Sequence, residues 1–478
     1  MTNLEAVLKC LLPGGINLVC YFIPVRLAIL AFIPAALLSQ MVPKNINATV
    51  KKVVDEISEQ NIIANLKKLE GFETRNTFSA TDDPQHGIGA ARKWIYDQFR
   101  SYSPRLEVYY DTYKVKRQTR VYRDVEVMNV VAVLPGTTNK ERQVIVCAHY
   151  DSLNRITKPG TPEDGEQSEI DEEKSAVAKA PGVTDDGSGT AAVMELARVM
   201  SKYEFEKTIV FVTFAGEEQA LIGSSPFAVK AQKENRLIEG VLNNDIIGSE
   251  VSGNGRSDNN SVRMFSPEPR DSISRELARY LKVAAERYVT SMKVDLIFRE
   301  DRFARGGDHM PFIEHGFPAV RITTTSENYA NQHTATDTFE NTSPSYITRV
   351  TKVNGAGLAS LALAPRPPVT TRVIKTGPNK GKLAPNLARG KSRYDAVLKW
   401  THDNPEPDLL GFSVVYRSTR APFWENEIFV GNVKEFTLEN VSVDEYVFGV
   451  KAIDKDGNES IVAPYADGSL PRREIEVY

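Results

Sequence analysis

The run Thr208-Ile-Val-Phe-Val-Thr-Phe-Ala-Gly-Glu-Glu218 constrains this chain more than any other stretch. Its first seven residues carry no charge and are rich in β-branched and aromatic types, which reads as a strand buried on both faces, as in a parallel sheet. Ala215-Gly216 ends the strand, and Glu217 and Glu218 follow at once. Open α/β sheets bind ligands outside the carboxyl ends of their strands, so this pair would stand at the mouth of a crevice. Taken alone, an acidic pair after a strand is a solvated turn. Other strand-like runs that also end in ligand-type residues overturn that reading.

Val144-Ile-Val-Cys-Ala-His149 is a short buried strand closed by His149-Tyr-Asp151, and Gly240-Val-Leu-Asn-Asn-Asp245 is another. Asp185-Asp-Gly-Ser-Gly189 opens a helix with Val193, Leu196, Ala197 and Met200 on its apolar face. A helix over 272–289, strands near 293–298 and 317–322, and a helix from Tyr346 to Leu363 continue the alternation. The expected class is α/β, a mixed, mostly parallel sheet flanked by helices. Segment 152–181, rich in Glu and Asp, reads as a solvated, mobile loop.

After Pro365-Arg-Pro-Pro368 the period changes to two, as in Phe412/Val414/Tyr416 and Tyr446/Phe448/Val450/Ala452. Residues 42–365 then form the α/β domain and 370–478 an all-β sandwich, packed on that domain or on another surface. A formal net charge of -3 gives no reason to expect nucleic acid. With three cysteines, two of them in the N-terminal apolar region, a disulfide framework is not expected. Residues 16–38 are apolar, broken by Pro24, Arg26 and Pro34. Residues 1–41 therefore read as a signal peptide or an N-terminal anchor. The rest is expected to be exported, periplasmic or extracellular, with membrane attachment only through 16–38.

The candidate ligands are His149, Asp185, Glu218, Asp245 and His333. Imidazole plus carboxylate without thiolate suits Zn²⁺ in a hydrolytic site. Five ligands exceed one tetrahedral ion and suit two that share a carboxylate. Three carboxylates against two divalent ions leave +4 − 3 = +1, which favours a bound hydroxide at neutral pH.

His149-Tyr-Asp151, Thr184-Asp-Asp-Gly-Ser-Gly189, Ala215-Gly-Glu-Glu218, Asn244-Asp245 and Gln332-His-Thr-Ala-Thr-Asp337 stand in one order. That order resembles the co-catalytic zinc aminopeptidases of the bacterial leucyl aminopeptidase type, over roughly residues 70–365. Wider relatives of that family include glutaminyl cyclases and transferrin receptors. The resemblance implies two Zn²⁺ per chain, one held by His149 and Asp245, the other by Glu218 and His333, with Asp185 bridging. It implies Glu217 as the general base working with a metal-bound hydroxide, and Asp151 orienting His149. Asp186 reads as support, or as a cap on the next helix. Some relatives have tyrosine before the last ligand, where this chain has Gln332. The run Tyr446-Val-Phe-Gly-Val-Lys-Ala-Ile-Asp454 resembles the later strands of a fibronectin type III domain.

The function implied is an exported aminopeptidase acting on peptides. The competing readings are a glutaminyl cyclase-like acyltransferase and a non-catalytic binding protein on the same fold. Arg302 and Arg305 read as solvated, His309 as a structural hydrogen-bonding group, and His86, His315 and His402 as surface or turn histidines.

Overall fold

In this computed structural model, residues 46–160, 169–267, 272–403 and 406–465 are described. The segment 16–38 lies outside them. Two helices come first, α1 (Ala48–Glu56) and α2 (Glu59–Glu70). They stay separate because each has its own cap: Asn47 accepts from Thr49 and Val50 amides, and Ser58 from the Asn61 amide. Next come α3 (Gly87–Tyr102), β1 (Glu107–Val115), β2 (Val125–Leu134), β3 (Asn139–His149) and the short α4 (Glu172–Val177). They are followed by α5 (Ser188–Met200), β4 (Lys207–Phe214), α6 (Ser224–Lys233), β5 (Leu237–Asn244), β6 (Ser261–Phe265) and α7 (Ile273–Tyr288). β7 (Lys293–Ile297), α8 (Met310–Glu314), β8 (Ala319–Thr324) and α9 (Pro344–Leu363) complete this half.

The strands form one eight-stranded sheet in the order β1-β2-β4-β3-β5-β8-β6-β7. Its centre, β4-β3-β5-β8, is parallel, while β2 pairs antiparallel with β4 and β6 with β8. The sheet is mixed and mostly parallel at its core, as the alternation of elements implied. The uncharged run from Thr208 to Phe214 lies in β4, and every residue of β4 is buried. Its side chains alternate: Ile209 and Phe211 join the cluster under α5 and α9, whereas Val210, Val212 and Phe214 meet Phe227 of α6 and Phe312 of α8. Full burial of each such side chain contributes roughly 1.5–3 kcal/mol, so covering both faces of β4 holds the sheet centre rigid.

Segment 152–181 departs from the expected open loop. Ser152, Leu153, Ser175, Ala176 and Ala180 are buried, and α4 lies within it. Both ends are tied down: Ser152 Oγ donates to Ala180 O at 2.7 Å, and Asn154 Nδ2 to Lys179 O at 2.7 Å. Its acidic residues 163, 164 and 166 lie outside the described residues.

Among the described residues beyond α9 every element is β: β9 (Thr371–Val373), β10 (Leu383–Pro385), β11 (Leu387–Arg389), β12 (Ala396–Lys399), β13 (Leu409–Ser418), β14 (Asn426–Gly431), β15 (Glu435–Leu438), β16 (Tyr446–Asp454) and β17 (Ala463–Pro464). Sheets β11-β12-β15 and β14-β13-β16-β17 enclose a core of Leu398, Trp400, Phe412, Val414, Phe448 and Val450. His402 is buried rather than at the surface, because its Nε2 meets Arg366 O at 2.8 Å and its ring stands edge-on to Phe412.

This β-region packs against α7 and the amino end of β3. Arg279 Nε donates to Pro422 O at 2.8 Å, Trp424 Nε1 to Glu276 Oε2 at 3.0 Å, and Arg142 meets Glu406 at 3.4 Å. Arg142 precedes His149 by seven residues on β3, so it stands about 23 Å from the carboxyl edge of the sheet. Among the described residues, no helix is long and apolar enough to cross a membrane.

Candidate metal centre

Strands β3, β4 and β5 run parallel and end together, so their carboxyl ends deliver His149, the Glu217-Glu218 pair and Asp245 to one edge. Gly216 turns the chain there with φ of 72°, and a Cβ on it would come within 2.4 Å of Ile222. Asp245 leaves β5 with its amide on Ile322 O at 3.1 Å. Asp185 sits in the turn Val183–Gly187 ahead of α5, and His333 arrives on the loop after β8 with φ of 55°.

Three buried groups knit these segments together. The Asp186 carboxylate accepts from the amides of His149 (3.2 Å), Gly189 (3.0 Å) and Ile246 (3.2 Å), one from each converging segment. It is both cap and brace, as its position before α5 suggested. Asp337 accepts from the amides of Thr184 and Asp185, each at 2.9 Å. The fully buried Arg75 donates to carbonyls of Tyr150 (2.7 Å), Pro181 (2.5 Å) and Gly182 (2.8 Å). That ties the end of β3 to the turn bearing Asp185. Arg75 was not visible in the sequence: Glu73-Thr-Arg-Asn76 carries no local sign that the guanidinium is buried.

Asp151 plays a larger part than orienting one ring. Its carboxylate accepts from the amides of Glu217 (3.3 Å) and Glu218 (3.2 Å). His149 Nδ1 lies 3.2 Å from the Asp151 carbonyl and 3.5 Å from its carboxylate. The orienting partner is therefore chiefly the main chain of Asp151, while its side chain fixes the acidic pair.

The five candidate ligands fall into two groups sharing Asp185: His149, Asp185 and Asp245, and Asp185, Glu218 and His333, with donor atoms within 4.8 Å of one another in each. Asp185 Oδ1 stands 3.2 Å from His149 Nε2, and its Oδ2 stands 3.1 Å from His333 Nε2. Asp245 Oδ1 lies 3.9 Å from His149 Nε2, and Glu218 Oε1 lies 3.1 Å from His333 Nε2. Yet Glu218 Oε1 receives no hydrogen bond of acceptable geometry although it is buried. Donors that converge without satisfying one another are what a cation between them requires. Two imidazoles with three carboxylates, one offering an oxygen to each group, fit a pair of Zn²⁺ ions. His149, Glu217 and Glu218 also approach within 4.8 Å. Of the adjacent glutamates, only Glu218 joins the group of Asp185 and His333.

The electrostatics match this donor set. Burial works against a charged His149, but Asp151 and Asp185 hold its imidazole well above the ordinary range. Burial likewise opposes ionised Asp185, yet His149 and His333 keep it well below the usual carboxylate range. Burial, with Asp245 and Glu218 nearby, pushes Glu217 well up.

The residue-family profile described as peptidase family M28 matches residues 129–357, the span that carries all five donors. A relative from Leptosphaeria maculans, named "probable zinc metalloprotease", is 35% identical over 442 residues, 86% of this chain and 95% of that protein. The chain belongs to peptidase family M28. It is a hydrolase by family. A second relative of the same description, from Pyricularia oryzae, is 36% identical over 87% of this chain and 84% of that protein. Among solved structures, the LapA aminopeptidase of Legionella pneumophila covers 65% of this M28 chain and 73% of its own, with 23% identity and a TM-score of 0.48. The glutaminyl cyclase of Fimbriiglobus ruber covers 64% and 95%, with 19% identity and a TM-score of 0.49.

The cleft over this M28 site has a volume of about 480 Å³, and Arg302 and Arg305 help to line it. Neither arginine is simply solvated. Arg302 is buried on Asp301 (3.0 Å) and Glu327 (2.9 Å), and Arg305 meets Gln332 Oε1 at 3.0 Å. His309 is structural as expected: its Nε2 meets Glu300 O at 2.9 Å, and it is wholly buried.

Proposed function

We propose that this M28 peptidase is a two-zinc exopeptidase, most simply an aminopeptidase removing N-terminal residues from peptides. The observation that carries this is the split of Asp185, one carboxylate oxygen facing each donor group. His149 and Asp245 would hold one ion, Glu218 and His333 the other, and Asp185 both. Bound zinc supplies Lewis acidity for a carbonyl oxygen and lowers the pKa of water.

The remaining work falls to the protein. Glu217 takes a proton from the attacking water and returns it to the leaving amine. Asp151 keeps that carboxylate in place by holding the two amides that follow Gly216. Arg120, whose Nη2 donates to Glu218 O at 2.5 Å, braces the same turn from the cleft side. The apolar segment 16–38 supports export. Two facing sheets of three and four strands, with Trp400 between them, support a fibronectin type III-like module.

The test is turnover of free-amine, N-acetylated and N-terminal glutaminyl peptides by the zinc-loaded full chain. Release of the first residue from free-amine peptides, abolished by chelation and restored by Zn²⁺, is expected. Equal cleavage of acetylated peptides, or pyroglutamyl product without peptide-bond hydrolysis, would overturn the aminopeptidase reading.

A further inference from the structure

The 480 Å³ cleft is lined by Arg120, Arg155, Arg302 and Arg305, while its carboxylates, Asp185, Glu217, Glu218 and Asp245, all belong to the site just described. Two zinc ions would neutralise those four carboxylates, +4 − 4 = 0, leaving the arginines to set the sign of the rim. Of these, Arg302 is spent: it is buried on Asp301 and Glu327. Arg305 differs, with a side chain 30% exposed towards the cleft.

What holds Arg305 is a neutral acceptor, Gln332 Oε1 at 3.0 Å, and a share of Glu327 Oε2 at 3.4 Å. Glu327 is already engaged by Arg263 at 2.5 Å and Arg302 at 2.9 Å, and also accepts from Gln332 Nε2 at 3.2 Å. One carboxylate thus serves three guanidinium groups. Gln332 fixes the orientation, because its amide accepts from Arg305 and donates to Glu327, and it directly precedes His333. An oriented guanidinium with charge in excess, next to the metal-facing histidine, suits a carboxylate from solution.

We propose that Arg305 is a specificity-determining residue that receives a carboxylate of the substrate close to the scissile bond. This rests on the aminopeptidase reading above. The carboxylate comes either from the free C-terminus of a very short peptide or from an acidic side chain beside the cleaved bond. Peptides that offer it are preferred over neutral isosteres, and Gln332 positions Arg305 for that contact.

The experiment measures kcat/KM of the zinc-loaded full chain on two matched pairs, Leu-Ala against Leu-Ala-amide and Leu-Asp-amide against Leu-Asn-amide. The carboxylate member of at least one pair should be favoured about 10–100-fold, the scale of a charge-assisted hydrogen bond. The pair that shows it identifies the source. In Arg305→Gln that ratio should collapse towards one, and Arg305→Lys should recover part of it. Ratios near one in the wild type would overturn the proposal while leaving hydrolysis intact. So would a wild-type preference that persists undiminished in Arg305→Gln, since Arg305 would then act only by supporting the loop. No turnover of any of the four substrates would defeat the aminopeptidase reading itself.

Discussion

Asp185 reaches both donor groups because its own amide is held by Asp337 at 2.9 Å and the turn behind it by Arg75. At the same scale, Glu217 and Glu218 are chemically alike and adjacent, yet Asp151 fixes their amides so that only Glu218 joins Asp185 and His333. Glu217→Gln keeps the shape and removes proton acceptance. It should lower kcat by about 10²–10⁴ with bound zinc unchanged. Glu218→Gln should instead weaken one zinc position, since a neutral amide is a poor ligand for it. Metal analysis beside kinetics on both variants checks this, and zinc loss from the Glu217 variant alone would reverse the two roles.

Among elements, the decisive arrangement is three parallel strands ending at one edge, and much of it is legible in the chain. The apolar run of β4, the short run ending in His149 and the Asp-Asp-Gly-Ser-Gly turn before α5 each carry a local pattern. What is not legible depends on partners distant in sequence. The antiparallel pairing of β2 with β4, the burial of Arg75 and the ordered ends of segment 152–181 leave no periodicity behind. Arg302 looks solvated in the sequence because Glu327, which neutralises it, lies 25 residues away. The start of α5 supplies a test at this scale. A Cβ on Gly189 would fall 2.4 Å from Asn244 O and 2.5 Å from Asp186 Oδ2. Gly189→Ala should therefore cost about 1–3 kcal/mol in urea unfolding and weaken zinc retention, because Asp186 braces the segments bearing His149 and Asp245. Wild-type stability in that variant would show that the junction has slack.

Over the whole molecule, residues 46–465 pack as part of one unit, with the β-region far from the metal-facing edge. The join contains Glu206, beside β4, facing Asp408 and Asp454 of the β-region, with Asn139 donating to it and Lys207 next to it. Burial, then Asp408, pushes Glu206 from 4.5 up to about 7. A carboxyl raised in the folded state contributes stability below pH 4.5 that is lost as pH rises through about 7. Glu206→Gln should thus narrow the difference in Tm between pH 5 and pH 8.5 by raising the alkaline value. An unchanged pH profile would show that the three carboxylates do not strain the join.

The central claim is that two zinc ions share Asp185, and anomalous diffraction at the zinc edge from crystals of the full chain tests it directly. The account predicts two peaks, one about 2.0–2.2 Å from His149 Nε2, Asp185 and Asp245, the other at that distance from His333 Nε2, Asp185 and Glu218. A single peak in zinc-saturated crystals, or two peaks with Asp185 bound to only one, would contradict it.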